Sequence, residues 1–92
     1  MESQLQLAKQ HFEAGELEIA HNILDSIVLQ NEPVAEAFMV RGLIHFRKQK
    51  WGDAINDFAR VLELDPDNSE ARHRMEMVKN ILGYFTPDMF NP

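Results

Sequence analysis

The feature that most constrains this chain is its likeness to itself at an offset of 34 residues. Glu2 aligns with Glu36, His11 with His45, Phe12 with Phe46, Ala20 with Ala54 and Asn22 with Asn56. Conservative pairs fill the gaps: Leu5 with Met39, Ala8 with Gly42, Leu24 with Phe58, Ile27 with Val61 and Val28 with Leu62. A period of this length marks an array in which each unit buries its apolar face on the next. At 92 residues the chain holds a single thin-cored domain.

Within each period the apolar residues recur at three and four, the spacing of one helix face. Leu5, Ala8 and Phe12 mark a first stripe, and Ala20, Ile23, Leu24, Ile27 and Val28 a second. Ala37, Phe38, Leu43, Ile44 and Phe46 mark a third, Ala54, Ile55, Phe58, Val61 and Leu62 a fourth, and Ala71, Met75, Val78 and Leu82 a fifth. Gly15, Pro33, Pro66 and Pro87 punctuate them, and a proline breaks a helix interior. The pattern predicts five helices, at 2–14, 17–30, 35–48, 51–64 and 69–83. Gly15 suits a left-handed helix end, and Asp67, Asn68 and Ser69 offer N-cap oxygens for the fifth helix. Connections this short make successive helices antiparallel. The expected fold is all-α, a solenoid of helix–turn–helix units.

Charge and composition narrow the function. The net charge of −6 opposes nonspecific nucleic-acid binding, which needs a basic surface. Residues 1–36 hold seven acids and one base, so an acidic first third either steers a basic partner or solvates the surface. Without cysteine there is no disulfide, thiolate metal site or cysteine nucleophile. The polar start is unlike a signal peptide, and no charge-free stretch is long enough to span a membrane. A cytoplasmic location is the simplest expectation.

Residues 35–68, AEAFMVRGLIHFRKQKWGDAINDFARVLELDPDN, resemble the tetratricopeptide repeat family. Phe38, Gly42, His45, Ala54, Phe58 and Pro66 stand at that family's fourth, eighth, eleventh, twentieth, twenty-fourth and thirty-second positions. The resemblance divides the chain into repeats at 1–34 and 35–68, a capping helix at 69–85 and a tail at 86–92. The first repeat keeps Leu7, Ala8 and Ala20, while its proline slips by one to Pro33. Arg41 stands where the family usually has leucine, and its stem is expected to carry the charge out to water.

The resemblance implies a non-catalytic module that binds a protein, a peptide or an amphipathic helix. In this family the first helix of each repeat lines a concave groove. The matching positions include Leu5, Lys9, Phe12 and Glu13 in the first repeat and Glu36, Met39, Leu43, Phe46 and Arg47 in the second. Glu70, His73 and Met77 continue the register on the fifth helix. Leucine and methionine there suit a pliable apolar ligand. Phe12 and Phe46 fit either the groove or the space between paired helices. Glu2, Glu36 and Glu70 form a ladder that suits a basic ligand rim or the helix dipoles. The lysine, asparagine and arginine set with which some relatives hold a chaperone's C-terminal carboxylate is not matched, because Lys9 and Arg74 alone carry suitable charge.

Other chemistry finds no foothold. His11, His21, His45 and His73 have no histidine partner one helical turn away, so neither a metal nor any other cofactor is expected. His11 and His45 fall at the family's tyrosine position and read as packing residues. No activated serine or phosphate-binding glycine loop appears. The rival to groove binding is assembly, a homodimer formed through an uncovered helical end or through the apolar tail containing Tyr84, Phe85, Met89 and Phe90.

Overall fold

The computed structural model describes residues 3–30 and 34–85. Pro33, Glu2 and the tail from 86 lie outside the described residues, as do the side chains of Tyr84 and Phe85. Five helices follow one another: α1 (Gln4–Glu13), α2 (Leu17–Leu29), α3 (Ala35–Arg47), α4 (Trp51–Leu64) and α5 (Ser69–Phe85). Among the described residues there is no strand. The expected helices are all present, their ends shifted by two residues or fewer. α1 packs on α2, α3 on α4, and α5 on α4. The molecule is elongated, 51 × 26 × 21 Å, as a stack of hairpins must be.

Local chemistry explains the ends. Ser3 caps α1, its hydroxyl accepting from the Gln6 amide at 3.1 Å. Asn68 does the same for α5, accepting from the Ala71 amide at 2.9 Å. Gly15 takes the left-handed conformation its position predicts, with φ of 83°. One period later Gln49 occupies the same conformation, φ 60°, at a cost of about 1 kcal/mol for a side-chain-bearing residue. The hydrogen bonds repeat with it. Glu16 and Lys50 amides donate to the His11 and His45 carbonyls at 2.8 and 2.9 Å, and Gly15 and Gln49 amides to the Phe12 and Phe46 carbonyls at 3.0 and 3.1 Å. Both hairpins therefore turn by one device.

Two apolar clusters sit in series. The first joins Ala8, Ala20, Leu24 and Ile27 to Ala37, Val40 and Ile44 of α3. The second joins Met39, Ala54, Phe58, Val61 and Ala71. Small residues set the approach of each pair. A Cβ at Gly42 would lie 2.7 and 2.9 Å from two ring carbons of Phe58, a fully buried side chain.

A polar junction crosses the stack where the first and second hairpins meet. Arg41 Nε and Nη2 each donate to Asp57 at 2.8 Å, and Nη1 donates to Asp25 of α2 at 3.1 Å. Asp57 is the one buried charged residue among those described, at 4% exposure. Its hydrogen bonds hold the Arg41 guanidinium's pKa above the usual arginine value, against the opposing effect of burial. The expectation that Arg41 reaches water is corrected. A bidentate carboxylate claims it inside the fold, because Asp57 could not be buried without that partner.

Gly42→Ala gains about 1 kcal/mol of helix propensity but overpacks a ring that has no room to retreat, at about 1–3 kcal/mol. The clash wins, and a thermal melt is expected to show Tm lowered by roughly 5–10 °C. Arg41→Leu restores the family's leucine yet strands Asp57, costing about 2–4 kcal/mol; the loss stays below that of a fully buried pair because the Arg41 side chain is 21% exposed. Adding Asp57→Ile copies the Leu7 and Ile23 of the first hairpin. In urea titrations the double variant is expected to recover most of that loss; a double variant no more stable than Arg41→Leu would refute the stranded-charge account.

Candidate functional site

The first helices of the hairpins, α1 and α3, share one face with α5. Three cross-links run along it. Lys9 of α1 pairs with Glu36 of α3. The Arg47 guanidinium of α3 lies 4.3 Å from the ring centroid of Phe12 on α1. The Arg74 guanidinium of α5 lies 5.1 Å from that of Phe46 on α3. Trp51, at the start of α4, meets Phe46 edge-on at 5.4 Å and braces the ring from below. A shallow cavity of about 500 Å³ opens between Leu5, Lys9, Glu13 and Glu36 at the α1 end.

The residues expected to line a groove divide by burial. Leu5 and Phe12 are half-buried at the edge of the first cluster, and Leu43 and Phe46 at the edge of the second. Phe12 and Phe46 thus pack against the core and still offer a ring face to an arginine. Lys9, Glu36 and Arg47 keep their charged ends near solvent, and Met77 is half-buried outside both clusters. Met39 is different. At 7% exposure it belongs to the second cluster, with Phe58 and Ala71, so its expected place on an open surface is corrected. The ladder of glutamates is also altered: Glu36, its middle rung, is neutralised by Lys9. Sequence reasoning missed the arginine-on-ring contacts, which join residues far apart in the chain. The available signal was a cation one residue after Phe46 and another on α5 beside the groove position His73.

Comparison with known proteins agrees with this geometry. A model of the tetratricopeptide repeat matches residues 35–68. A solved Bacteroides fragilis protein, BF1650, superposes with a TM-score of 0.78 at 34% identity, over 98% of this chain and 91% of that one. The first TPR domain of human RPAP3 superposes with a TM-score of 0.80 at 28% identity, over 88% of this chain and 64% of that one. The chain belongs to the tetratricopeptide repeat family. Human RNA polymerase II-associated protein 3 is 31% identical over 75 residues and the rat protein 29%, in each case covering 82% of this chain. The chain spans 11% of the length of these curated relatives. Tetratricopeptide repeat domains are protein-interaction modules, and that coarse function extends to this one.

A second set of titratable groups lies where α3 meets α2 and α4. His45 Nε2 lies 3.6 Å from Asp57 Oδ2, and its ring meets His21 edge-on at 5.3 Å. His45 Nδ1 is buried with no hydrogen-bond partner. Burial pushes the His45 imidazole below its ordinary 6.5; Asp57 and Asp53 oppose the shift, while His21 and Arg41 add to it. Among the described residues no cluster of three or more histidines and carboxylates is disposed to hold a metal ion. His11 differs from its repeat mate: it is less buried, and its Nδ1 lies 2.9 Å from Glu16 in the turn. It reaches from the last turn of α1 to the hairpin turn more than it packs in the core.

The folded chain takes up a proton on His45 less readily than the unfolded chain does, so stability is complete above the ordinary histidine pKa and falls as the pH drops through it. Urea midpoints are expected to decrease from about pH 7.5 to 5.5, and His45→Tyr is expected to flatten that slope. An unchanged slope in His45→Tyr would assign the effect to other groups.

Proposed function

We propose that this chain is a non-catalytic adaptor module of the cytoplasm whose α1–α3–α5 face grips a peptide segment or an amphipathic helix of another protein. One observation carries the reading: Leu5, Leu43 and Met77 stay partly accessible on the face that Phe12, Phe46 and their arginines shape. Apolar side chains flanked by fixed polar groups are the usual makeup of a peptide groove. Docking one polypeptide to another also fits a module akin to part of a protein named for its association with RNA polymerase II. Neither a nucleic acid nor a cofactor is part of this proposal. Capture of a chaperone's C-terminal carboxylate is not part of it either, since of the lysine, asparagine and arginine set that mode uses only Lys9 and Arg74 carry suitable charge here.

Self-association is the rival reading. What favours it is Leu7 and Ile19, which are exposed on the outer side of the first hairpin at 39% and 45%. Groove binding predicts a monomer in light scattering at micromolar concentration; a dimer mass favours the rival.

Peptides selected by display against the full chain test the groove. Their binding is expected to shift amide resonances of α1, α3 and α5 rather than those of α2 and α4. Met77→Glu, at a residue outside both core clusters, is expected to leave the circular dichroism intact and to weaken binding about tenfold or more. Undiminished binding in Met77→Glu together with Leu5→Glu would place the site elsewhere.

A further inference from the structure

Four of the chain's cations are neutralised by carboxylates: Lys9 by Glu36, Arg41 by Asp57 and Asp25, Lys48 by Glu18, and Arg60 by Glu63. Arg47 and Arg74 are not. Among the described residues neither is given a carboxylate, although the chain as a whole carries −6 and Glu70 lies one turn before Arg74 on the same helix. Each is instead laid against a phenylalanine of the preceding groove helix, Arg47 on Phe12 and Arg74 on Phe46. The two contacts repeat one arrangement, a ring from one helix beneath a cation from the next.

A guanidinium resting on a ring gives up little of its hydrogen-bonding capacity. Its planar fork of N–H donors matches a carboxylate with two parallel bonds, and the ring beneath it restricts the side chain before any ligand arrives. Less ordering entropy then remains to be lost on binding. Packed helices lie about 8–10 Å apart. The two guanidiniums rest over Phe12 of α1 and Phe46 of α3, helices that pack on each other. A segment in the polyproline II conformation advances about 3.1 Å per residue with three residues per turn, so carboxylates three residues apart point the same way, about 9 Å apart, and match the two forks.

We propose that Arg47 and Arg74 form a paired receptor for two acidic side chains of an extended partner segment, with Phe12 and Phe46 as the platforms that hold the guanidiniums in place. The proposal rests on the groove reading above and names its partner's chemistry: side-chain carboxylates about three residues apart within a chain, not a chain-end carboxylate. Of the other groove charges, Lys9 and Glu36 satisfy each other.

The test uses the full chain and three acetylated, C-terminally amidated probe peptides of one backbone sequence, carrying two glutamates three residues apart, two glutamines, or two lysines. Blocking both ends removes the terminal carboxylate as a source of binding. At low salt the glutamate probe is expected to shift the Arg47 and Arg74 side-chain NεH signals and the Phe12 and Phe46 ring signals. It is expected to bind about tenfold or more tightly than the glutamine probe and to weaken as salt is added. Arg47→Gln with Arg74→Gln, both outside the core clusters, is expected to abolish that preference while the circular dichroism stays that of the folded chain. Equal affinity for glutamate and glutamine probes, with shifts still on α1, α3 and α5, overturns the proposal and leaves the groove reading standing. Shifts confined to α2 and α4 overturn both. No shift with the glutamate probe at millimolar concentration, or binding only when its C-terminus is left free, also overturns the proposal.

Discussion

Everything in this molecule depends on how closely the two helices of a hairpin can approach. Ala8 with Ala20 in the first hairpin, and Gly42 with Ala54 in the second, remove the bulk that would hold the axes apart, and all four are buried. The space so gained is filled by one large group per hairpin, Leu24 in the first and Phe58 in the second. Interiors pack as densely as organic crystals, so this arrangement fixes the crossing angle instead of merely allowing it. That angle, repeated, carries α1, α3 and α5 to one side, where Arg47 can reach Phe12 and Arg74 can reach Phe46. The α1–α3–α5 face is therefore a consequence of glycine and alanine positions buried between the helices.

Contacts between hairpins follow a different logic. Val40 and Ile44 extend the first cluster across the boundary, but apolar contact alone constrains orientation loosely. Arg41 adds direction. Its fork meets Asp57 within its own hairpin and Asp25 in the one before, so a single planar group is answerable to three helices. The matching residues of the first hairpin, Leu7 and Ile23, are apolar. The polar solution thus appears only where one hairpin stacks on another. His45 sits beside it, its ring edge-on to His21, and burial holds the His45 imidazole below its ordinary value.

The helices, turns and repeat boundaries were legible because they depend on neighbours in sequence. Gly15, Asn68 and the spacing of Leu24, Ile27 and Val28 each act within a turn or two. Gln49 shows the limit: its left-handed conformation is imposed by the repeated turn geometry, and nothing about glutamine announces it. The site was half legible. The repeat register placed Lys9, Phe12, Phe46 and Arg47 on one face, because a register fixes direction. It could not tell a lining residue from a buried one, since that depends on how far α4 and α5 fold over α3. Met39 lies on the register and under those helices, and so joins Phe58 and Ala71 in the core. Arg41 was misjudged for a related reason. Its carboxylates stand on α2 and α4, 16 residues away in each direction, where no local pattern connects them.

The α1–α3–α5 face changes character at α5. On α3 the side that receives a partner helix carries Phe38, Gly42 and His45. One period on, α5 offers Arg72, Glu76 and Lys79 there, all exposed. A long charged residue in the place of Gly42 does not offer a further helix the close crossing on which the hairpins rely, while α5 itself stacks on α4. Among the described residues the α1–α3–α5 face is three helices across, about 20 Å between the outer axes at ordinary packing distances. An extended segment crosses that distance in about six residues. Over so short a span few side chains can be read, and each must contribute strongly. A pair of ring-backed arginines is one of the few arrangements able to supply both orientation and affinity within six residues.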